Sequence, residues 1–207
     1  SAASDVYKRQ NYNSEFLYLM SYEIETGKRS LVYKTDWDVT RHFLTKSDKY
    51  RVITVNEDAQ NKIIVKKDKD DSVINFKGFE NMDIKGVSFS ENEKMIRINA
   101  GSSNSPGDIY TYNLESEQLN KITSNLNSNV NPLDLVNGEV IRYNSFDDLE
   151  IPAILYKPLN SSKMNKAPAL VWVHGGPGGQ SRIGYRALIQ YLVNHGYAIL
   201  AVNNRGS

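Results

Sequence analysis

An all-β repeat followed by an α/β segment is the fold class that this sequence predicts. Three observations carry it. Short alternating apolar runs fill residues 11–134, two pairs of turn sequences recur at one common offset, and near residue 135 the pattern changes to strand, glycine-rich turn, helix and strand.

The bulk properties exclude several classes. The chain has 207 residues, 40% hydrophobic and 24% charged, as in ordinary globular proteins. A net charge of +1 gives no field that draws nucleic acid or an anionic membrane surface. No apolar run approaches the roughly 18 residues of a membrane span. There is no cysteine, so disulfides and thiolate metal sites are excluded, but the compartment stays open. The first residues lack the zones of a signal peptide. Asp5-Val6-Tyr7-Lys8-Arg9-Gln10 matches the translation of a transposon end used to prepare sequencing libraries. Residues 1–10 are therefore read as an adaptor artefact that replaces the true N-terminus, and are set aside from fold reasoning.

Within 11–134, Phe16–Met20 reads as a strand and Glu25-Thr26-Gly27-Lys28 as a turn. Ser30–Tyr33, Tyr50–Val55, Lys62–Val65, Met95–Ile98 and Asp108–Tyr112 continue the extended pattern. Ser47-Asp48-Lys49 and Asn92-Glu93-Lys94 each precede a strand and stand 45 residues apart. Ile24-Glu25-Thr26 and Leu114-Glu115-Ser116 each follow a strand and stand 90 apart, twice that unit. A four-stranded propeller blade repeats at about 40–50 residues, so the region predicts a partial β-propeller of about two and a half blades. The alternative is an all-β sandwich, whose turns recur at about 8–12 residues without a common longer unit. The run Lys66–Asp71 alternates in sign and reads as a solvated turn rather than a metal or phosphate site. Trp37 reads as a packed blade aromatic, and Gly101–Gly107 as a hairpin loop.

From 135 to 207 the elements differ. Glu139–Tyr143 and Ile151–Tyr156 read as strands joined by the turn Ser145–Asp148. A polar connection from Pro158 to Pro168 leads to Ala169–Val173, apolar on both faces as a buried parallel strand would be. Ile183, Ala187, Leu188, Tyr191 and Leu192 share one face at helical spacing, and Gly196 suits the left-handed residue that ends a helix. Tyr197–Val202 is a second buried strand, completing a βαβ crossover.

The strand Val171-Trp172-Val173 runs into His174-Gly175-Gly176-Pro177-Gly178-Gly179. Acyl transfer places negative charge on a carbonyl oxygen, and fixed backbone N–H groups stabilise it without reorganisation. Glycine lets a substrate approach those groups, so Gly175 and Gly176 are the candidate oxyanion-hole donors, with His174 and Pro177 positioning the loop. A phosphate loop would require Gly-Lys-Ser or Gly-Lys-Thr, and Gly178-Gly179-Gln180-Ser181 stands there instead. A dinucleotide fingerprint fails on glycine spacing, so no cofactor or metal is predicted. His174 at a strand end reads as structural, and His42 and His195 as surface residues without carboxylate context. The segment is thus the expected N-terminal part of an α/β-hydrolase domain.

His174-Gly175-Gly176-Pro177, Gly196-Tyr197-Ala198 and Asn203-Asn204-Arg205-Gly206-Ser207 resemble the prolyl oligopeptidase family of serine peptidases, in its dipeptidyl-peptidase and acylaminoacyl-peptidase branch. Ser145–Pro152 is similar to that family's entry into its catalytic domain. The resemblance covers about residues 135–207. It implies a serine nucleophile in a Gly-x-Ser-x-Gly elbow, then an aspartate and a histidine, acting on short peptides behind a propeller. It also implies that the Gly176 N–H serves the oxyanion and that Arg205 supports a turn outside the triad. Where some members place a tyrosine hydroxyl, this chain has His174, which favours the backbone donor.

No Gly-x-Ser-x-Gly occurs in the 207 residues, so the triad is absent and this polypeptide is expected to be an inactive part of its parent enzyme. Two other readings share these residues: a carboxylester hydrolase, and a propeller binding module with a degenerate hydrolase half. Oligomeric state and compartment are not encoded in any motif. The strand Ala169–Val173 would leave an apolar edge unpaired, so the isolated chain is expected to self-associate. Sedimentation analysis checks this, and a monodisperse monomer with cooperative unfolding would count against it.

Overall fold

A computed structural model describes residues 5–68, 71–79, 82–176 and 178–207. By contact density the chain divides into two compact units: Ser1–Glu57 with Asn61–Gly78, and Asp58–Gln60 with Phe79–Ser207. This division does not follow the change of sequence pattern near residue 135.

The first unit holds two antiparallel sheets. One contains β1 (Asp5–Gln10), β2 (Tyr18–Glu23) and β3 (Arg29–Tyr33), in that order. The other contains β4 (Asp38–Leu44), β5 (Tyr50–Glu57), β6 (Gln60–Lys67) and β7 (Val73–Ile74), also in chain order. The segment Asp5–Gln10, set aside in the sequence reading, is a strand paired with β2 along its whole length. It adds one strand to the two and a half blades expected from residue 11 onward. Leu19, Val39, Ile53 and Val55 form the apolar core, and Trp37 packs against it as expected. Asp38 Oδ1 accepts the Leu17 N–H at 2.8 Å, and the Val39 N–H donates to Leu17 O at 2.9 Å, tying the two sheets.

His42 is not the isolated surface residue that the sequence suggested. It is half-buried, with the Tyr7 ring 4.7 Å from its own and Arg51 Nη1 at 3.2 Å from its Nε2. Arg51 in turn pairs with Asp68 at 2.6 Å. Burial and then the Arg51 charge disfavour a second proton, against a smaller pull from Asp68, and lower the His42 pKa to about 4. Of the charge run, Lys66 and Lys67 end β6, and Lys66 pairs with the 74% exposed Asp71 at 2.8 Å. Its members Lys69 and Asp70 lie outside the described residues.

The second unit contains a four-stranded meander of β8 (Asp83–Phe89), β9 (Met95–Ser102), β10 (Ser105–Asn113) and β11 (Leu119–Lys121). Asp108 is 2% exposed and accepts from Thr123 Oγ1 and the Asn125 N–H, both at 2.9 Å, and from Lys121 Nζ at 2.8 Å. Burial raises its pKa, but these donors together outweigh that effect and hold the carboxyl below its ordinary range.

The 45-residue offset has a geometric basis. The Thr45 N–H donates to Tyr50 O and the Ser90 N–H to Met95 O, each at 2.9 Å, closing two like hairpins. Asp48 and Glu93 take the left-handed conformation at the same place, with φ of 57° and 54°. The ladders slip by one residue between Val39 and Arg41, and again between Ile84 and Gly86. The 90-residue pair behaves alike: Glu23 N–H bonds Lys28 O at 2.9 Å and Asn113 N–H bonds Gln118 O at 3.0 Å, with Gly27 and Glu117 left-handed. Among the described residues the sheets do not close a propeller.

A second sheet of this unit contains β12 (Glu139–Asn144), β13 (Glu150–Tyr156), β14 (Ala169–Val173) and β15 (Ala198–Val202), in the order β12-β13-β15-β14. Only the β14–β15 pair is parallel, and α1 (Ala187–Asn194) lies between those strands in the chain. Residues 135–207, expected to open an α/β-hydrolase domain, thus supply one mixed sheet and one helix. An α/β-hydrolase domain is not present among the described residues.

Two sequence expectations need correction. β14 is not a buried strand. It is the sheet edge, and Val171 and Val173 on one face are 65% and 66% exposed because no described layer packs on that face, while Trp172 on the other face meets the core. The helix begins at Ala187 rather than near Ile183, and it buries Ile189, Gln190 and Val193 while Leu188 and Tyr191 are exposed. Apolar spacing points to a neighbouring face because one of the three buried positions of the helix is the polar Gln190. Gly196 ends the helix as expected, at φ 91°. The Tyr197 N–H returns to Leu192 O at 3.1 Å and the Gly196 N–H to Val193 O at 3.0 Å, the paired bonds of a Schellman end.

Gln190 is the anchor of α1. Its Oε1 accepts the Val136 N–H at 2.9 Å, and its Nε2 donates to Val136 O at 2.8 Å and to Ser103 O at 2.7 Å. The β9–β10 turn is thereby fastened to the helix. Around this anchor Val136, Ile154, Tyr156, Ile189, Val193 and Ile199 form a continuous core.

Gln190→Leu keeps the volume but strands three buried backbone groups. It should lower unfolding free energy by about 3 kcal/mol, read from the urea midpoint. His42 stays neutral in the folded chain down to about pH 4, whereas the unfolded chain takes up its proton near 6.5. Stability should therefore fall as pH drops from about 6.5 to about 4. His42→Gln should flatten urea-midpoint dependence across that window.

Candidate functional site

The glycine-rich loop leaves the exposed end of β14. Gly175 and Gly176 are both exposed, and Gly176 has φ 65°. Neither N–H donates to a described residue. A Cβ added at Gly175, Gly176 or Gly178 would meet nothing within 4 Å. These glycines are not required by packing, and their amides are open to a ligand. Pro177, predicted to position the loop, lies outside the described residues. Gly179 differs: its N–H donates to Gly176 O at 3.1 Å, and a Cβ there would run into the Gly175 carbonyl oxygen.

Past the glycines the loop is fastened by an amide that the sequence reading passed over. Asn203 Oδ1 accepts the Ser181 N–H at 2.6 Å, and its Nδ2 donates to Ser181 O at 3.0 Å. Ser181 Oγ donates to Val202 O at 3.3 Å, and the Asn203 N–H to Pro152 O at 3.1 Å. Asn203 and Ser181 are 5% and 3% exposed, so these bonds are sheltered from water. Two residues on, the Ile183 N–H donates to Ala59 O at 3.1 Å. The available signal for Asn203 was its place directly after a buried strand, where the ladder stops and backbone groups need other partners.

His174 Nε2 lies 2.9 Å from Ser207 Oγ. The Ser207 hydroxyl also donates to Asn204 O at 2.5 Å. No described carboxylate contacts His174, whose Nδ1 is 3.4 Å from Gly175 O. Through this contact His174 links its loop to the 203–207 turn. That turn is also held by Arg205, which grips Asp147 with both terminal nitrogens, Nη1 to Oδ2 at 2.7 Å, and stacks 5.1 Å from the Phe146 ring. The arginine holds the Asp147 carboxyl below its ordinary pKa. The Ser145–Ile151 hairpin and the Asn203–Ser207 turn, far apart in sequence, thus meet through one ion pair. His195 is exposed, with its Nδ1 2.8 Å from Tyr191 O. Among the described residues no group of three or more His, Cys, Asp or Glu could hold a metal ion, and no helix is long and apolar enough to cross a membrane.

No family model matches the chain. A stretch of 40 residues, 19% of this chain and 6% of the relative, is 50% identical to dipeptidyl aminopeptidase BIII of Pseudoxanthomonas mexicana. A puromycin-hydrolyzing peptidase of Mycobacterium tuberculosis superposes with a TM-score of 0.76 at 11% identity, over 97% of this chain and 32% of that one. A prolyl endopeptidase gives 0.80 at 13% identity, over 100% and 31%. The acylaminoacyl peptidase of Pyrococcus horikoshii gives 0.67 at 21% identity, over 99% and 31%. These fold neighbours are peptidases of the prolyl oligopeptidase family, and the chain spans about a third of their length.

The glycines should separate by substitution. Gly175→Ala should leave stability within about 0.5 kcal/mol, Gly176→Ala should cost about 1 kcal/mol for its left-handed backbone, and Gly179→Ala about 2 kcal/mol for the clash. Urea midpoints of the three variants check the order.

Proposed function

We propose that this chain is part of a serine-type peptidase of the prolyl oligopeptidase family that cleaves short peptides through an acyl-enzyme. One observation carries the reading: two glycine N–H groups at the end of β14 that donate to no described residue, in a chain whose fold neighbours are peptidases. In this reading the Gly176 N–H, with Gly175 beside it, donates to the oxyanion, and His174 and Pro177 hold the loop. One such donor contributes roughly 3–4 kcal/mol to the transition state. Residues 11–134 serve as part of a propeller and 135–207 as the opening of the hydrolase domain, with its β14 edge free for a further strand.

The division of labour follows from charge. No Gly-x-Ser-x-Gly elbow occurs in the 207 residues, so in this reading they supply the oxyanion donors and not the attacking hydroxyl. The propeller would limit access to short chains.

The purified 207-residue chain should not cleave aminoacyl-anilides, whereas the protein from the complete coding sequence should, with sensitivity to a serine-directed inhibitor. In the longer protein, Gly176→Pro, which removes the N–H, should lower kcat about 100-fold or more. Cleavage by the short chain, or preference of the long one for simple acyl esters, would overturn the reading.

A further inference from the structure

The loop Pro158–Pro168, a mere polar connection in the sequence, walls a cavity of about 480 Å3 in the second unit. Its lining residues are the apolar Leu155, Ala167 and Ala198, the serines Ser161 and Ser162, and three exposed lysines, Lys157, Lys163 and Lys166. No carboxylate lines it. Lys157 reaches Glu139 only at 3.5 Å, with both side chains more than half exposed. Lys163 and Lys166 have no ion-pair partner among the described residues.

The wall is built, not loose. Ser161 Oγ donates to Pro158 O at 2.8 Å, and the Ser162 N–H to Asn165 O at 2.8 Å. Ser162 Oγ accepts the Asn165 N–H at 3.0 Å, and Asn165 Nδ2 donates to Asn160 O at 2.8 Å. The Ala198 N–H closes the far end on Pro168 O at 2.9 Å. Ser161 Oγ thus donates within the loop and Ser162 Oγ accepts within it, while the three lysines carry the formal charge among the described lining residues.

We propose that this cavity binds a small amphiphilic anion, with one carboxylate or phosphate head on a short aliphatic body. Three like charges around one concavity focus a positive potential that a single anion relieves. The apolar lining covers a hydrocarbon body but offers nothing to a second polar group. A neutral ligand would leave the lysines uncompensated, and a bare inorganic ion would leave the apolar wall wet.

Equilibrium dialysis of the 207-residue chain against octanoate, octyl phosphate, acetate, inorganic phosphate and octyl glucoside tests this. Octanoate or octyl phosphate should bind saturably at one site, and the tighter of the two identifies the head group. Acetate, phosphate and octyl glucoside should bind at least about tenfold more weakly. Lys163→Ala with Lys166→Ala should weaken the octyl anion about tenfold with an unchanged circular dichroism spectrum, and Lys163→Arg with Lys166→Arg should retain it. Absence of saturable binding, equal uptake of octyl glucoside, indifference to the alanine pair, or binding only to anionic vesicles would each overturn the proposal.

Discussion

Buried backbone polar groups must find partners wherever a strand ladder stops, and in the second unit two side-chain amides meet that demand. Gln190 engages both backbone groups of Val136 and adds Ser103 O. Asn203 engages both backbone groups of Ser181. Each amide pairs with one residue as a neighbouring strand would, yet does so from a helix or a strand end. The helix position, the β9–β10 turn and the exit of the glycine loop all depend on these pairings. An unmade bond of this kind costs more than a made one contributes, so the arrangement tolerates little substitution.

The glycine loop illustrates the division between fixed and free. Its far end is tied at Ser181 and Ile183, and Gly179 is closed on Gly176. Its near end at Gly175 and Gly176 touches nothing within reach of a Cβ. In the proposed reading these two amides, which donate to no described residue, serve the oxyanion. Arg205 and Asp147 reinforce the same corner from the surface, where their pairing is screened by solvent and serves position more than stability.

The repeated turns were legible because left-handed residues and turn carbonyls leave a local signature: Asp48 and Glu93 sit in polar triplets before strands of like pattern. Gly196 was legible for the same reason. The buried face of α1 was not, because Gln190 is polar and spacing rules count only apolar residues. The exposure of β14 was missed because apolar composition states what a strand can bury, not whether a neighbour covers it. His42 escaped notice because its partners, Tyr7, Arg51 and Asp68, come from different strands and from a segment set aside. Among the site residues, the strand-turn-helix context of Gly175 and Gly176 was readable, whereas Asn203 acts across 22 residues.

The order of the mixed sheet bears on how the chain reaches it. β13 and β14 are consecutive in sequence but not adjacent in space, since β15 lies between them. The two cannot zip as a hairpin, and each must keep a side vacant until Ala198–Val202 arrives. The central strand is therefore the last of the four to emerge during synthesis. Loop closure has to precede any reward from pairing, which makes this step slow compared with the local meanders upstream. During that interval β14 presents two open sides, and after it still presents one.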